Sequence, residues 1–168
     1  MSGRSNKLDT FSINAREIVL ILKQSGRRIC FAESCTGGMI TASVTDIEGS
    51  SAVFSRGFIT YSNKAKMNML GVKSETLNLF GAVSGQTVAE MASGAITASE
   101  DEADYAVAVS GIAGPEGGTK EKPVGLIYIC VLKKGEVGQV RRYVFEGHRQ
   151  FVRTKTVEKA LENILQLI

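Results

Sequence analysis

The segment GSSAVFSRGFITYSNKAKMNMLGV, residues 49–72, brings a serine, a tyrosine and a lysine close together: Ser51, Tyr61 and Lys66. With Asn63 as a helix cap, Lys66 occupies the third helical position, where the positive end of the helix dipole opposes its charge and lowers its pKa. Such a lysine can bind an anion, or it can be desolvated and neutral so that it acts as a base; a solvated lysine on a first helical turn is the third reading, and Lys64 fits that one. Tyr61 closes the preceding strand with its hydroxyl in reach of the helix start, and Ser51 lies in a turn after a glycine. Short-chain dehydrogenases also use Ser, Tyr and Lys, but they place lysine four residues after tyrosine and need a glycine-rich first turn. Here the spacing is five and that turn is missing.

Two glycine-containing turns offer a second kind of chemistry. SCTGG (34–38) and SGIAGPEGG (110–118) can present backbone N–H groups to a phosphate or an oxyanion, which makes Ser34, Thr36, Gly37, Gly38 and Gly111 candidate substrate-binding positions. The same glycines can simply turn the chain. Neither GxxxxGK[ST], GxGxxG nor GxSxG occurs, so NTPase, classical dinucleotide and nucleophile-elbow readings lose their main support. Cys35, ahead of TGG at a helix start, is an alternative nucleophile with a lowered pKa and Glu33 to assist it; a buried structural cysteine is the other reading. One histidine, His148, and three cysteines without CxxC spacing suit neither a zinc site nor a disulfide framework. No metal and no cofactor are expected.

These residues need a scaffold, and 168 residues with 43% hydrophobic content suffice for one domain, taken as 1–168 with 1–8 as a flexible N-terminus. The formal charge of +3 comes from scattered basic residues, so no nucleic-acid partner is demanded. The N-terminus lacks a signal-peptide pattern, and no apolar run approaches the roughly 18 residues a membrane span needs. A reducing, cytoplasmic setting is expected. DTFSINAREIVLILKQSG (9–26) has a helical apolar period, with Asp9 or Ser12 as cap. RRICFAES (27–34) reads as a strand and TGGMITASVTD (36–46) as a helix; GFITYS (57–62) and NKAKMNMLGV (63–72) repeat that order. Ser84 caps a helix in SGQTVAEMASGAITASE (84–100). DYAVAVSG (104–111) and VGLIYICVLKK (124–134) read as strands covered on both faces, QVRRYVFEG (139–147) as a more exposed one, and RQFVRTKTVEKALENILQLI (149–168) as a final helix. The alternation predicts an α/β fold: three layers, α/β/α, with a mixed central sheet.

AESCTGG (32–38), DIEGSS (46–51), GFITYSNKAK (57–66), GAVS (81–84), SGIAGP (110–115) and KPVG (122–125), in this order over nearly the whole chain, resemble the CinA C-terminal domain family. The resemblance implies a nicotinamide-nucleotide amidohydrolase, which converts nicotinamide mononucleotide to nicotinic acid mononucleotide and ammonia. It implies the stand-alone form, without the family's molybdopterin-binding-like companion domain. It also makes Ser51 the nucleophile, Lys66 its general base and Tyr61 a hydrogen-bonding relay, and it points to Ser110 and Arg149 as substrate contacts. The partner so implied is a small pyridine nucleotide, and the family look suggests a homo-oligomer, a dimer. Two readings stay open beside it: a Cys35-dependent amidase, and a non-catalytic nucleotide-binding module.

Overall fold

In the computed structural model, residues 10–100 and 102–168 are described; the N-terminal stretch 1–8 and the Asp9 cap lie outside them. The chain runs α1 (Thr10–Ser25), β1 (Ile29–Glu33), α2 (Met39–Thr45), a single 3₁₀ turn (Ser50–Ala52), β2 (Phe54–Ile59), α3 (Asn63–Leu70), α4 (Ser74–Phe80), α5 (Gly85–Ala98), β3 (Tyr105–Gly111), β4 (Leu126–Lys133), β5 (Gln139–Val144) and α6 (Arg149–Leu165). The five strands form one sheet in the order β2-β1-β3-β4-β5. β1 is parallel to both β2 and β3, while β4 and β5 add as antiparallel neighbours. The expected mixed sheet between two helical layers is therefore what forms. Two elements escaped the sequence reading, the short α4 and the 3₁₀ turn.

The period-2 pattern of the strands explains the layers. Ile29 and Phe31 of β1, Val107 and Val109 of β3, and Ile127, Ile129 and Val131 of β4 pack in one core with Ile18 and Leu22 of α1, Ile40 of α2 and Leu161 of α6. On the other face the central positions are small: Cys30, Ala32, Ala106, Ala108 and Cys130 face Leu70 of α3 and Val88, Met91, Ala92 and Ala95 of α5. That small-residue face lets α5 lie close to the sheet, and Gly94 continues the theme, because a Cβ there would stand 1.8 Å from the Leu70 carbonyl oxygen. Burial of all five β1 residues and of the interior of β3 agrees with strands covered on both sides, and the alternating exposure of β5 agrees with its polar pattern.

Chain order now selects one place for a ligand. After β1 the chain moves through α2, on one face, to the strand on one side; after β2 it crosses through α3–α5, on the opposite face, to β3 on the other side. The chain leaves the carboxyl end of β1 toward β2 on one side and the carboxyl end of β3 toward β4 on the other, and a crevice opens between these strand ends, the usual ligand position in open α/β sheets.

Candidate active site

A cavity of about 170 Å³ occupies that crevice, lined by Ser34, Cys35, Tyr61, Lys66, Ala82, Val83, Ser110, Gly111, Ala113 and Arg149. Ser34 follows β1 directly, Tyr61 and Lys66 follow β2, Ser110 and Gly111 end β3, and Arg149 opens α6. Parallel pairing of β1 with β2, with Glu33 opposite Ile59, brings the first three together.

Lys66 is 1% exposed. Its Nζ lies 3.1 Å from Ser34 Oγ and donates to the Thr60 carbonyl at 2.9 Å. Burial pushes its pKa below the ordinary lysine value. The helix cap is Ser62, whose Oγ accepts from Ala65 N at 3.1 Å, so the expected Asn63 cap shifts by one residue and Lys66 moves to the fourth helical position. Its side chain turns into the protein, and burial is the main cause of the lowered pKa. Lys64 is exposed, as its solvated reading requires.

Ser51 is not part of this constellation. It is exposed, in the 3₁₀ turn before β2, whereas Lys66 reaches the carbonyl just beyond the end of β2. Six residues of strand hold the two ends about 20 Å apart at some 3.3 Å per residue. The serine beside Lys66 is therefore Ser34 and not the expected Ser51, which does not line the cavity. The expected Tyr61 relay changes with it: Tyr61 lies beyond the end of β2, is 62% exposed, and its hydroxyl accepts from Arg149 Nη2 at 3.0 Å.

The first glycine turn is also reassigned. Glu33, fully buried, accepts from Gly38 N (3.0 Å), Ile40 N (3.1 Å), Thr41 N (2.8 Å) and Thr41 Oγ1 (2.8 Å). An internal carboxylate thus fills the anion position at the start of α2. Gly37 N donates to the Ser34 carbonyl at 3.1 Å, and Thr36, Gly37 and Gly38 do not line the cavity. Gly37 and Gly38 adopt φ of 60° and 98°, a left-handed turn that suits glycine. The N–H groups of Gly37 and Gly38, expected to face a phosphate, are thus taken up inside the protein. Cys35 touches the cavity, but burial pushes its thiol up to about 12, the opposite of the expected lowering, and nearby Glu33 raises it further.

Ala82 and Val83 form the far wall, and the segment that carries them is held by side chains on its main-chain carbonyls. Ser110 Oγ donates to the Ala82 carbonyl at 2.7 Å, Thr87 Oγ1 to that of Gly81 at 2.7 Å, and Lys122 Nζ to those of Phe80 (2.5 Å) and Val83 (2.8 Å). Gly111 has no room for a side chain, since a Cβ would meet Ile127 Cδ1 at 2.1 Å. Arg149 also donates from Nη1 to the Gly114 carbonyl at 2.9 Å, tying α6 to the β3–β4 connection. His148 caps α6 by accepting from Phe151 N at 3.3 Å. Among the described residues no group of His, Cys, Asp and Glu is arranged to hold a metal ion, and no helix is long and apolar enough to cross a membrane.

Two cations were missed in the sequence: Lys122, within KPVG, and Arg153, one helical turn beyond Arg149. The i, i+4 spacing of the arginines is the signal that could have found the second. Chemically, a serine hydroxyl 3.1 Å from a buried lysine amine is a pair that can serve as the nucleophile and base of a hydrolase.

The comparisons agree with that class. A model of the CinA C-terminal domain family matches residues 12–168, and the chain belongs to this family. Nicotinamide-nucleotide amidohydrolase PncC of Escherichia coli (strain K12) is 50% identical over 145 residues, 86% of this chain and 87% of that protein. A CinA-like protein of Endomicrobium trichonymphae is 51% identical over 142 residues, 84% of this chain but 32% of that longer protein. The solved structure of the competence/damage inducible protein CihA from Agrobacterium tumefaciens superposes with a TM-score of 0.88 at 44% identity, covering 99% of both chains.

Proposed function

We propose that this chain hydrolyses nicotinamide mononucleotide to nicotinic acid mononucleotide and ammonia, with Ser34 as nucleophile and Lys66 as its general base. Similarity to amidohydrolases over most of its length supports an amidase enzyme. The observation that carries the residue assignment is the 3.1 Å approach of Lys66 Nζ to Ser34 Oγ, two buried side chains on the cavity wall.

The steps follow from that geometry. A neutral Lys66 amine, oriented by donating to the Thr60 carbonyl, accepts the Ser34 proton while Oγ attacks the amide carbon. The C–O bond forms and the carbonyl π pair moves onto oxygen. Accepting from Arg149 leaves the Tyr61 hydroxyl its own proton to donate toward that oxyanion. As the tetrahedral adduct collapses, the C–N bond breaks and the Lys66 ammonium returns its proton to the leaving nitrogen, which departs as ammonia. Water then attacks the acyl-serine, giving a proton to Lys66; the ester C–O bond breaks, the Lys66 ammonium returns the proton to Ser34 Oγ, and the acid leaves with the serine and neutral lysine restored. Arg149 at the rim supplies the charge for the substrate phosphate. A cationic pyridinium brought beside Lys66 further favours the neutral amine.

Ammonia release from the mononucleotide tests this reading. Ser34→Ala should lose at least about 10³ of kcat, whereas Ser51→Ala should stay within roughly twofold of native. Native turnover in Ser34→Ala, or loss in Ser51→Ala, overturns the assignment.

A further inference from the structure

We infer that Arg153 is a positioning residue for the nucleophile, acting through the main chain that follows Ser34. This rests on Ser34 being the reactive serine. Arg153 Nε donates to the Cys35 carbonyl at 3.0 Å and Nη2 to the Thr36 carbonyl at 2.9 Å, so one edge of the guanidinium spans two consecutive peptides. Charged bidentate bonds of this kind fix direction as well as distance.

The second of those peptides is the informative one. A peptide unit is planar, so holding the Thr36 C=O also sets the Gly37 N–H on the opposite side of the same plane. That N–H donates to the Ser34 carbonyl and closes the turn. Upstream, Ser34 follows a β1 strand paired on both sides; downstream, Glu33 holds the first N–H groups of α2. Arg153 completes the clamp by taking the carbonyls as Glu33 takes the amides. Its guanidinium faces the start of a helix, an unfavourable place for a cation alone, and the Glu33 carboxylate embedded in that helix start compensates. Gly37 fits the same arrangement, because its φ of 60° is the left-handed backbone this turn needs. Arg153 does not line the cavity, so its effect reaches substrate only through Ser34.

The test uses Arg153→Gln and Arg153→Lys in the full chain, with two readouts. For deamidation of the mononucleotide, Arg153→Gln should lose about 10- to 100-fold in kcat while KM stays within about threefold, because displacing a reacting group by roughly 1 Å costs on that scale. Arg153→Lys, which keeps the charge but not the fork, should fall between. Independently of the substrate, phenylmethanesulfonyl fluoride should modify Ser34 of the native protein, located by peptide mass spectrometry, and more slowly in Arg153→Gln by a similar factor. Equal labelling rates and equal kcat in native and variant overturn the role of Arg153, as does a loss confined to KM. No labelling of native Ser34 together with native kcat in Ser34→Ala instead overturns the Ser34 reading beneath it.

Discussion

Replacing Lys66 with methionine should remove both the activity and one limb of the pH dependence of stability, and both should titrate together. Lys66 is 1% exposed, with a carbonyl and a hydroxyl as its partners, and burial lowers its pKa from the ordinary 10.5. Below the folded-state pKa the protein bears the full cost of a buried ammonium. Between that value and 10.5 the unfolded chain binds a proton that the folded chain does not, so stability rises with pH, by at most about 1.4 kcal/mol per pH unit from this group. Above 10.5 both states are neutral and the cost is gone. Methionine is close in volume and cannot titrate. The difference in unfolding free energy, native minus Lys66→Met, should therefore climb with pH across that window, as measured by urea unfolding from pH 6 upward. Native kcat/KM should rise along a limb with the same apparent pKa. Lys66→Met and Lys66→Arg should each lose about 10⁴ or more in kcat, since methionine has no base and a guanidinium keeps its proton at any working pH. A flat difference curve, or substantial kcat in Lys66→Arg, would refute the neutral base.

Other outcomes follow from the same geometry. Iodoacetamide at neutral pH should leave both Cys35 and the activity of the folded protein intact, because a buried thiol pushed up to about 12 carries almost no thiolate; rapid loss that Cys35→Ala prevents would reopen the thiol mechanism. Nicotinamide and its riboside should be far poorer substrates than the mononucleotide, and Arg149→Ala should narrow that gap by at least tenfold, measured as kcat/KM; equal values for all three substrates would remove the phosphate contact. Lys122→Met should raise KM severalfold with kcat largely kept, by freeing the Phe80 and Val83 carbonyls that hold the segment carrying Ala82 and Val83 of the far wall, and Lys122→Arg should restore it.

The sequence by itself determined most of the elements, because helices, strands and caps depend on near neighbours along the chain. Ser84 caps α5 by accepting from Thr87 N at 3.1 Å, and the apolar runs 104–111 and 124–134 hold the buried strands β3 and β4. The six motif stretches also carried the family, and Tyr61, Lys66, Ser110 and Arg149 were legible as members of one site. Which serine Lys66 meets was decided only by the tertiary structure. Ser51 is nearer in sequence, but an extended β2 holds it at the opposite end of that strand from Lys66. Ser34, far away along the chain, is brought to 3.1 Å by parallel β1–β2 pairing with Glu33 opposite Ile59. The fate of the SCTGG turn was likewise non-local: its chemistry depended on a neighbouring carboxylate folding back onto α2 and on Arg153 arriving from α6. Strand order and the packing of distant helices set both outcomes, and neither leaves a periodic mark in a single sequence.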